Sequence, residues 1–89
     1  MIRFIKNKQK GVIKKMNYAQ RIRALREDND LKQKDIALIL KTNQKVYSRY
    51  ETEENELPLR HLITLCRYYE VSADYILGFT DTPKKLPKN

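Results

Sequence analysis

Residues 42–51 read TNQKVYSRYE. Set on a helix at 100° per residue, they divide into two faces. Gln44, Lys45, Ser48 and Arg49 cover one arc of about 140°, while Val46, Tyr47 and Tyr50 cover the opposite arc, with Glu51 at its edge. Asn43, or Thr42 before it, can cap such a helix, because a side-chain oxygen there accepts a first-turn N–H. Two tyrosines thus anchor the segment, and a Gln, a Lys, a Ser and an Arg face outward.

The flanking segments carry the same period. Tyr18, Ala19, Ile22 and Leu25 share an arc in 18–28, and Ile36, Ala37, Ile39 and Leu40 share one in 33–40. In 59–69, Leu59, Leu62, Ile63, Leu65, Cys66 and Tyr69 lie within about 160°, with Arg60, Thr64, Arg67 and Tyr68 opposite. Pro58 suits the first turn of that helix, which needs no N–H donor. Ser72 caps a short last helix, 73–77, which Gly78 ends. With 43–52 this makes five helices, no internal repeat and no strand-like alternation of useful length. The expectation is an all-α bundle.

One charge falls on an apolar arc. Arg26 sits between Ala19 and Ile22 on the first helix, where an unpaired guanidinium would cost several kcal/mol, by order of magnitude. Glu51, at the edge of the buried face of 43–52, is the candidate partner. The alternative is an Arg26 that reaches out to water along its aliphatic stem.

Composition bounds the rest. Eighty-nine residues make one domain with one small core, and 40% apolar residues suffice for a helical one. Two glycines and three prolines argue against a turn-rich β fold. No run of 18 apolar residues could span a bilayer. The start, MIRFIKNKQKGVIKKM, has neither the apolar core nor the cleavage site of a secretory signal. The single cysteine, Cys66, cannot form an internal disulfide, which fits the cytoplasm.

The net charge of +8 is concentrated at the ends. Arg3, Lys6, Lys8, Lys10, Lys14 and Lys15 supply six units without an acid among them, and Lys84, Lys85 and Lys88 supply three more. Residues 16–81 hold ten basic and eleven acidic side chains. A nearly neutral body attracts nucleic acid only through a local basic face and its ends.

The segment 21–78 resembles the lambda-repressor-like helix-turn-helix family of the Cro/C1 (XRE) type. The resemblance lies in LKQKDIALIL at 31–40, the eleven-residue step from Gln33 to Gln44, SRYE at 48–51 and VSADYILG at 71–78. It implies a five-helix bundle whose second and third helices form the helix-turn-helix, with 43–52 as the third helix, entering the major groove. It further implies that Gln44, Lys45 and Arg49 read bases. Gln33 contacts a phosphate and braces Gln44; Asn43 and Ser48 touch phosphates; Arg26 and Glu51 form a buried ion pair. The chemistry suits these roles, since Gln matches adenine N6 and N7 while Arg and Lys match guanine O6 and N7.

Three features depart from the family pattern. Lys41 stands where the turn usually has Gly, so it takes a left-handed conformation at a cost of roughly 1 kcal/mol, or the turn differs. Glu53, Glu54 and Glu56 follow the third helix, where basic residues are common, and would repel a phosphate backbone. Residues 1–16 precede the pattern. They are a basic arm for DNA or a partner subunit, an extension without function, or the consequence of a natural start at Met16. The organisation expected is a basic extension over 1–16, a DNA-binding domain over 17–80 and a polar tail over 81–89.

The remaining residues favour plain readings. His61 falls near the polar rim of its helix and reads as a surface histidine, without a second metal ligand at suitable spacing. Cys66 reads as a small buried hydrophobe, and Leu38 as a lone exposed leucine. Tyr75, Ile76 and Phe79 are buried in the body or at a subunit interface. No catalytic set, phosphate-cradling glycine loop or CxxC is present, which speaks against an enzyme, a cofactor or a small-molecule substrate. The expected function is a bacterial repressor, without a separate sensing domain, that binds double-stranded DNA as a homodimer on a two-fold operator. The alternatives are an antitoxin-like or anti-repressor module that binds another protein, favoured by the acidic stretch, and an RNA-binding helix-turn-helix.

Overall fold

The computed structural model describes residues 16–83. The extension expected over 1–16 and the tail over 81–89 therefore lie outside the described residues except for Met16 and 81–83. Among the described residues there are five helices and no strand: α1 (Tyr18–Asp28), α2 (Gln33–Ile39), α3 (Gln44–Glu51), α4 (Leu59–Tyr69) and α5 (Ala73–Ile76).

Short side chains set the starts of these helices. Asn17 accepts from the Gln20 N–H while the Gln20 side chain accepts from the Asn17 N–H, a reciprocal cap on α1. Asn43 caps α3 through the Val46 N–H, and Ser72 caps α5 through the Tyr75 N–H. The Asp35 carboxylate reaches back to the Lys32 N–H at the start of α2. Pro58 sits one position earlier than the sequence suggests. It is the cap residue of α4, and its carbonyl accepts from the N–H groups of His61 and Leu62.

The helix ends are unusual in composition. Asp30, Lys41, Glu53 and Glu70 all have φ between 57° and 68°, where glycine is the ordinary choice. At Lys41 the expected left-handed residue is present. Its N–H bonds the Leu38 carbonyl and the Thr42 N–H bonds the Ala37 carbonyl, the paired arrangement that closes a helix into a tight turn. Asp30 and Leu31 close α1 in the same way.

Ile22, Ile36, Tyr47, Leu65 and Ile76 are the large side chains sealed at the centre, one from each helix. α2 packs closely on α3, and α1 touches both α3 and α5, so α3 is held from two sides. The beginning and end of the bundle meet, since a Cβ on Gly78 would overlap the Met16 carbonyl oxygen. Cys66 is buried, and that burial pushes its thiol pKa up, as for a packing residue.

Three expectations about α4 need correction. His61 is buried, at 6% exposure, and Leu59 and Ile63 are exposed. A single rotation accounts for all three. The buried arc of the first two turns of α4 is turned about 50° toward His61, away from Ile63. Tyr50 of α3 lies against the His61 ring at 5.8 Å and takes the place expected for solvent. The C-terminal trio divides: Ile76 is sealed, Tyr75 is half-buried and Phe79 is exposed. Leu38 is exposed, as the sequence suggests.

Candidate nucleic-acid interface

Helix α3 presents its two faces as the spacing requires. Tyr47 and Tyr50 are buried, their rings meeting edge to face at 6.2 Å. Asn43, Gln44, Lys45 and Arg49 are exposed, and Ser48 is half-exposed. Together with Gln33 and Glu54, the outward side chains Gln44, Lys45, Ser48 and Arg49 line one shallow depression.

The base of that surface is tied to the core by a chain of polar contacts. Arg26 Nε donates to Glu51 Oε2 at 2.7 Å and its Nη2 donates to Oε1 at 3.1 Å, a two-pronged pair. The third nitrogen, Nη1, donates to the Leu31 carbonyl at 3.0 Å. Burial alone would raise the Glu51 carboxyl; hydrogen bonds from Arg26 and Gln33 outweigh it and hold the carboxyl below its ordinary value. The Tyr47 hydroxyl is buried beside the same carboxylate without a hydrogen bond of ordinary geometry. Burial, and then the neighbouring negative charge, push that phenol well above its ordinary pKa.

Gln33 carries this anchor to the surface. Its Nε2 donates to Glu51 Oε1 at 3.0 Å, and its Oε1 accepts from Gln44 Nε2 at 3.5 Å, the outer limit of a hydrogen bond. Arg26, Glu51, Gln33 and Gln44 thus form a line from the core to the exposed start of α3. Asn43, exposed beside them, spends its side-chain oxygen on the helix cap.

Two features escaped the sequence. Glu54 shares the depression with the outward residues of α3, its Oε1 3.6 Å from Arg49 Nε. Arg21 is buried, with its guanidinium 4.1 Å from the centre of the Tyr75 ring and Nη2 donating to Asp81 at 3.1 Å. Its position offered a signal, for at 100° per residue it lies about 40° from Leu25, at the margin of the apolar arc. Among the described residues no group of His, Cys, Asp or Glu could hold a metal, and no helix is long and apolar enough to cross a membrane.

Two helices packed at a tight left-handed turn, the second with a buried aromatic face and an open polar one, define a helix-turn-helix protein. Residues 22–76 match the helix-turn-helix family, and the chain belongs to that family, in its Cro/C1 (XRE) branch. It is 42% identical over 66 residues to an uncharacterized HTH-type transcriptional regulator, YobD, of Bacillus subtilis (strain 168). That match covers 74% of this chain and 59% of YobD, so the chain spans about three-fifths of that relative. Among solved structures it is similar to the P22 c2 repressor protein in complex with synthetic operator 9T, with a TM-score of 0.66 and 25% identity. The similarity covers 73% of this chain and 98% of the repressor chain.

Proposed function

We propose that this chain is a sequence-specific DNA-binding transcriptional regulator, a repressor that occupies a two-fold operator as a dimer. The observation that carries the reading is the open edge of α3: Gln44, Lys45 and Arg49 exposed on a helix whose tyrosines are sealed inside. Gln44 offers a donor and an acceptor to adenine, and Lys45 and Arg49 offer donors to guanine. Gln33, Asn43 and Ser48 position the module on phosphates, and Arg26 with Glu51 fixes the helix behind them. The likeness to a repressor solved on an operator supports DNA as the partner. One such module spans only a few base pairs, so two half-sites about one helical turn apart supply the length a specific site needs.

The same reading assigns residues 17–80 to DNA binding, with 1–16 as a basic extension and 81–89 as a polar tail. It places the protein in the cytoplasm and calls for no cofactor, small-molecule substrate or catalytic step. Selection of preferred sites from a random duplex pool tests it directly. The expected result is a two-fold consensus whose binding weakens steeply with salt. Gln44→Ala and Arg49→Ala each relax the consensus at one position per half-site without unfolding the bundle, at about 1–3 kcal/mol per lost contact. A protein that binds no duplex at low salt, or two variants that bind the consensus as tightly as the parent, would overturn the assignment.

A further inference from the structure

A second hollow lies behind α3, between the α2–α3 turn and α4. It measures about 520 Å³, within the roughly 300–1,000 Å³ of small-molecule sites. Lys41 and Thr42 of the turn, Val46 and Tyr50 on the inner face of α3, and Arg60 and His61 of α4 line it, and no carboxylate does. Lys41 and Arg60 are exposed, and among the described residues neither enters an ion pair. His61 and Tyr50 are 6% and 5% exposed. Among the described residues neither side chain makes a hydrogen bond, and neither ends in a sealed polar atom as Tyr47 does. Their polar ends therefore open into the cleft.

We propose that this cleft binds a small phosphate monoester, with Lys41 and Arg60 holding the phosphate and with His61 and Tyr50 donating to its oxygens. The site stands apart from the DNA-reading surface of α3 and needs nothing from it.

Charge and depth select the ligand. Lys41 and Arg60 supply two positive charges. A monoester carries about −1.5 to −2 at pH 7 with three acceptor oxygens, which matches them. A phosphate of the DNA backbone carries one charge and is esterified on both sides. It leaves one cation unmatched, and its two sugars keep it from the nearly buried His61 and Tyr50. The groups facing His61 are all cationic or neutral: Lys41 from the turn, Tyr50 from α3 and Arg60 from its own helix. Burial, and then the charge of Arg60, hold its pKa below the ordinary value. A dianion between Arg60 and His61 reverses the sign of that field.

His61 is the only histidine of the chain, so its ring resonances report on one site. The test follows them in the full chain during titration with glycerol 3-phosphate at pH 7 and constant ionic strength. The expected result is a saturable shift and a His61 pKa raised by about 1, the low end for an opposite charge in contact. By linkage the dianion then binds about tenfold tighter to the protonated protein. Lys41→Gly, which suits the φ of 60° at that turn, and Arg60→Gln each weaken binding about fivefold. Dimethyl phosphate, a singly charged diester, leaves the resonances in place. No saturable shift up to about 10 mM, the same shift from dimethyl phosphate, or unchanged affinity in both variants would overturn the proposal. Random duplex DNA that moves the His61 resonances and displaces the monoester would assign the cleft to backbone phosphate and overturn it as well. The first three results leave the DNA-reading assignment intact, and a chain that binds no duplex could still show this site.

Discussion

Two arginines of α1, five residues apart, are buried to nearly the same degree and are held in opposite ways. The Arg26 side chain is 13% exposed and meets a carboxylate that is itself 4% exposed. Arg21 is 8% exposed, yet its ion-pair partner, Asp81, is 93% exposed. Arg26 places Nε, Nη1 and Nη2 on acceptors. Arg21 leaves Nε without a partner and rests its plane on Tyr75. The first is an electrostatic lock between helices, while the second is a packed aliphatic stem and flat cation closed by a surface strap. A buried charge thus says little about stability until its partner's exposure is known.

Glu51→Gln gives the largest expected break in this contrast. The amide keeps the shape but leaves Arg26 buried without a counter-charge, and unfolding in urea should show a loss of about 3–5 kcal/mol. A loss under about 1 kcal/mol, the scale of an exposed pair, would mean that Arg26 reaches water and that the two arginines are alike. Acid separates them further. The Glu51 carboxyl titrates below its ordinary value of 4.5, so its contribution is complete above that pH and is lost as pH falls through the folded value. The Glu51→Gln variant should lack that limb of the stability curve. His61, depressed by burial and then by Arg60, gives both proteins a separate loss that begins below pH 6.5, where the unfolded chain takes up its proton first.

Tyr75→Leu tests the Arg21 side. It removes the ring under the guanidinium while keeping apolar volume, and should cost about 1–2 kcal/mol in the same measurement. Asp81→Ala is the smallest change, under about 0.5 kcal/mol, because an exposed carboxylate exchanges the guanidinium for water at little cost. An Asp81 effect as large as that of Glu51 would erase the distinction.

The legible part of this molecule was the part decided by a single helix. The two faces of α3 follow from the order of eight residues, and the core places Tyr47 and Tyr50 where that order requires. Arg26 announced its need for a carboxylate because a charge stood among Ala19 and Ile22. The misread residues depended on a neighbour. His61 went inside because Tyr50 reaches it across from another helix, and Leu59 and Ile63 came out with the same rotation. Glu54 was read only as one of three acids that would repel a phosphate backbone, because nothing in its own segment shows that the chain doubles back toward Arg49. Arg21 lay at the margin of its arc, where a wheel cannot tell a buried stem from an exposed head. Periodicity gives the face of a helix; which element covers that face, and how far round, is a property of the assembled bundle.

The backing of α3 also fixes what can be rewritten. Tyr47, Tyr50 and Glu51 are committed to the interior, and Gln33 links that interior to Gln44. Positions 44, 45, 48 and 49 answer to nothing behind them except Gln33 at the first and Glu54 at the last. They form an exchangeable set, so a new target preference can be installed there on an unchanged scaffold. Any recoding that removes the glutamine at 44 should be made together with a new choice at 33.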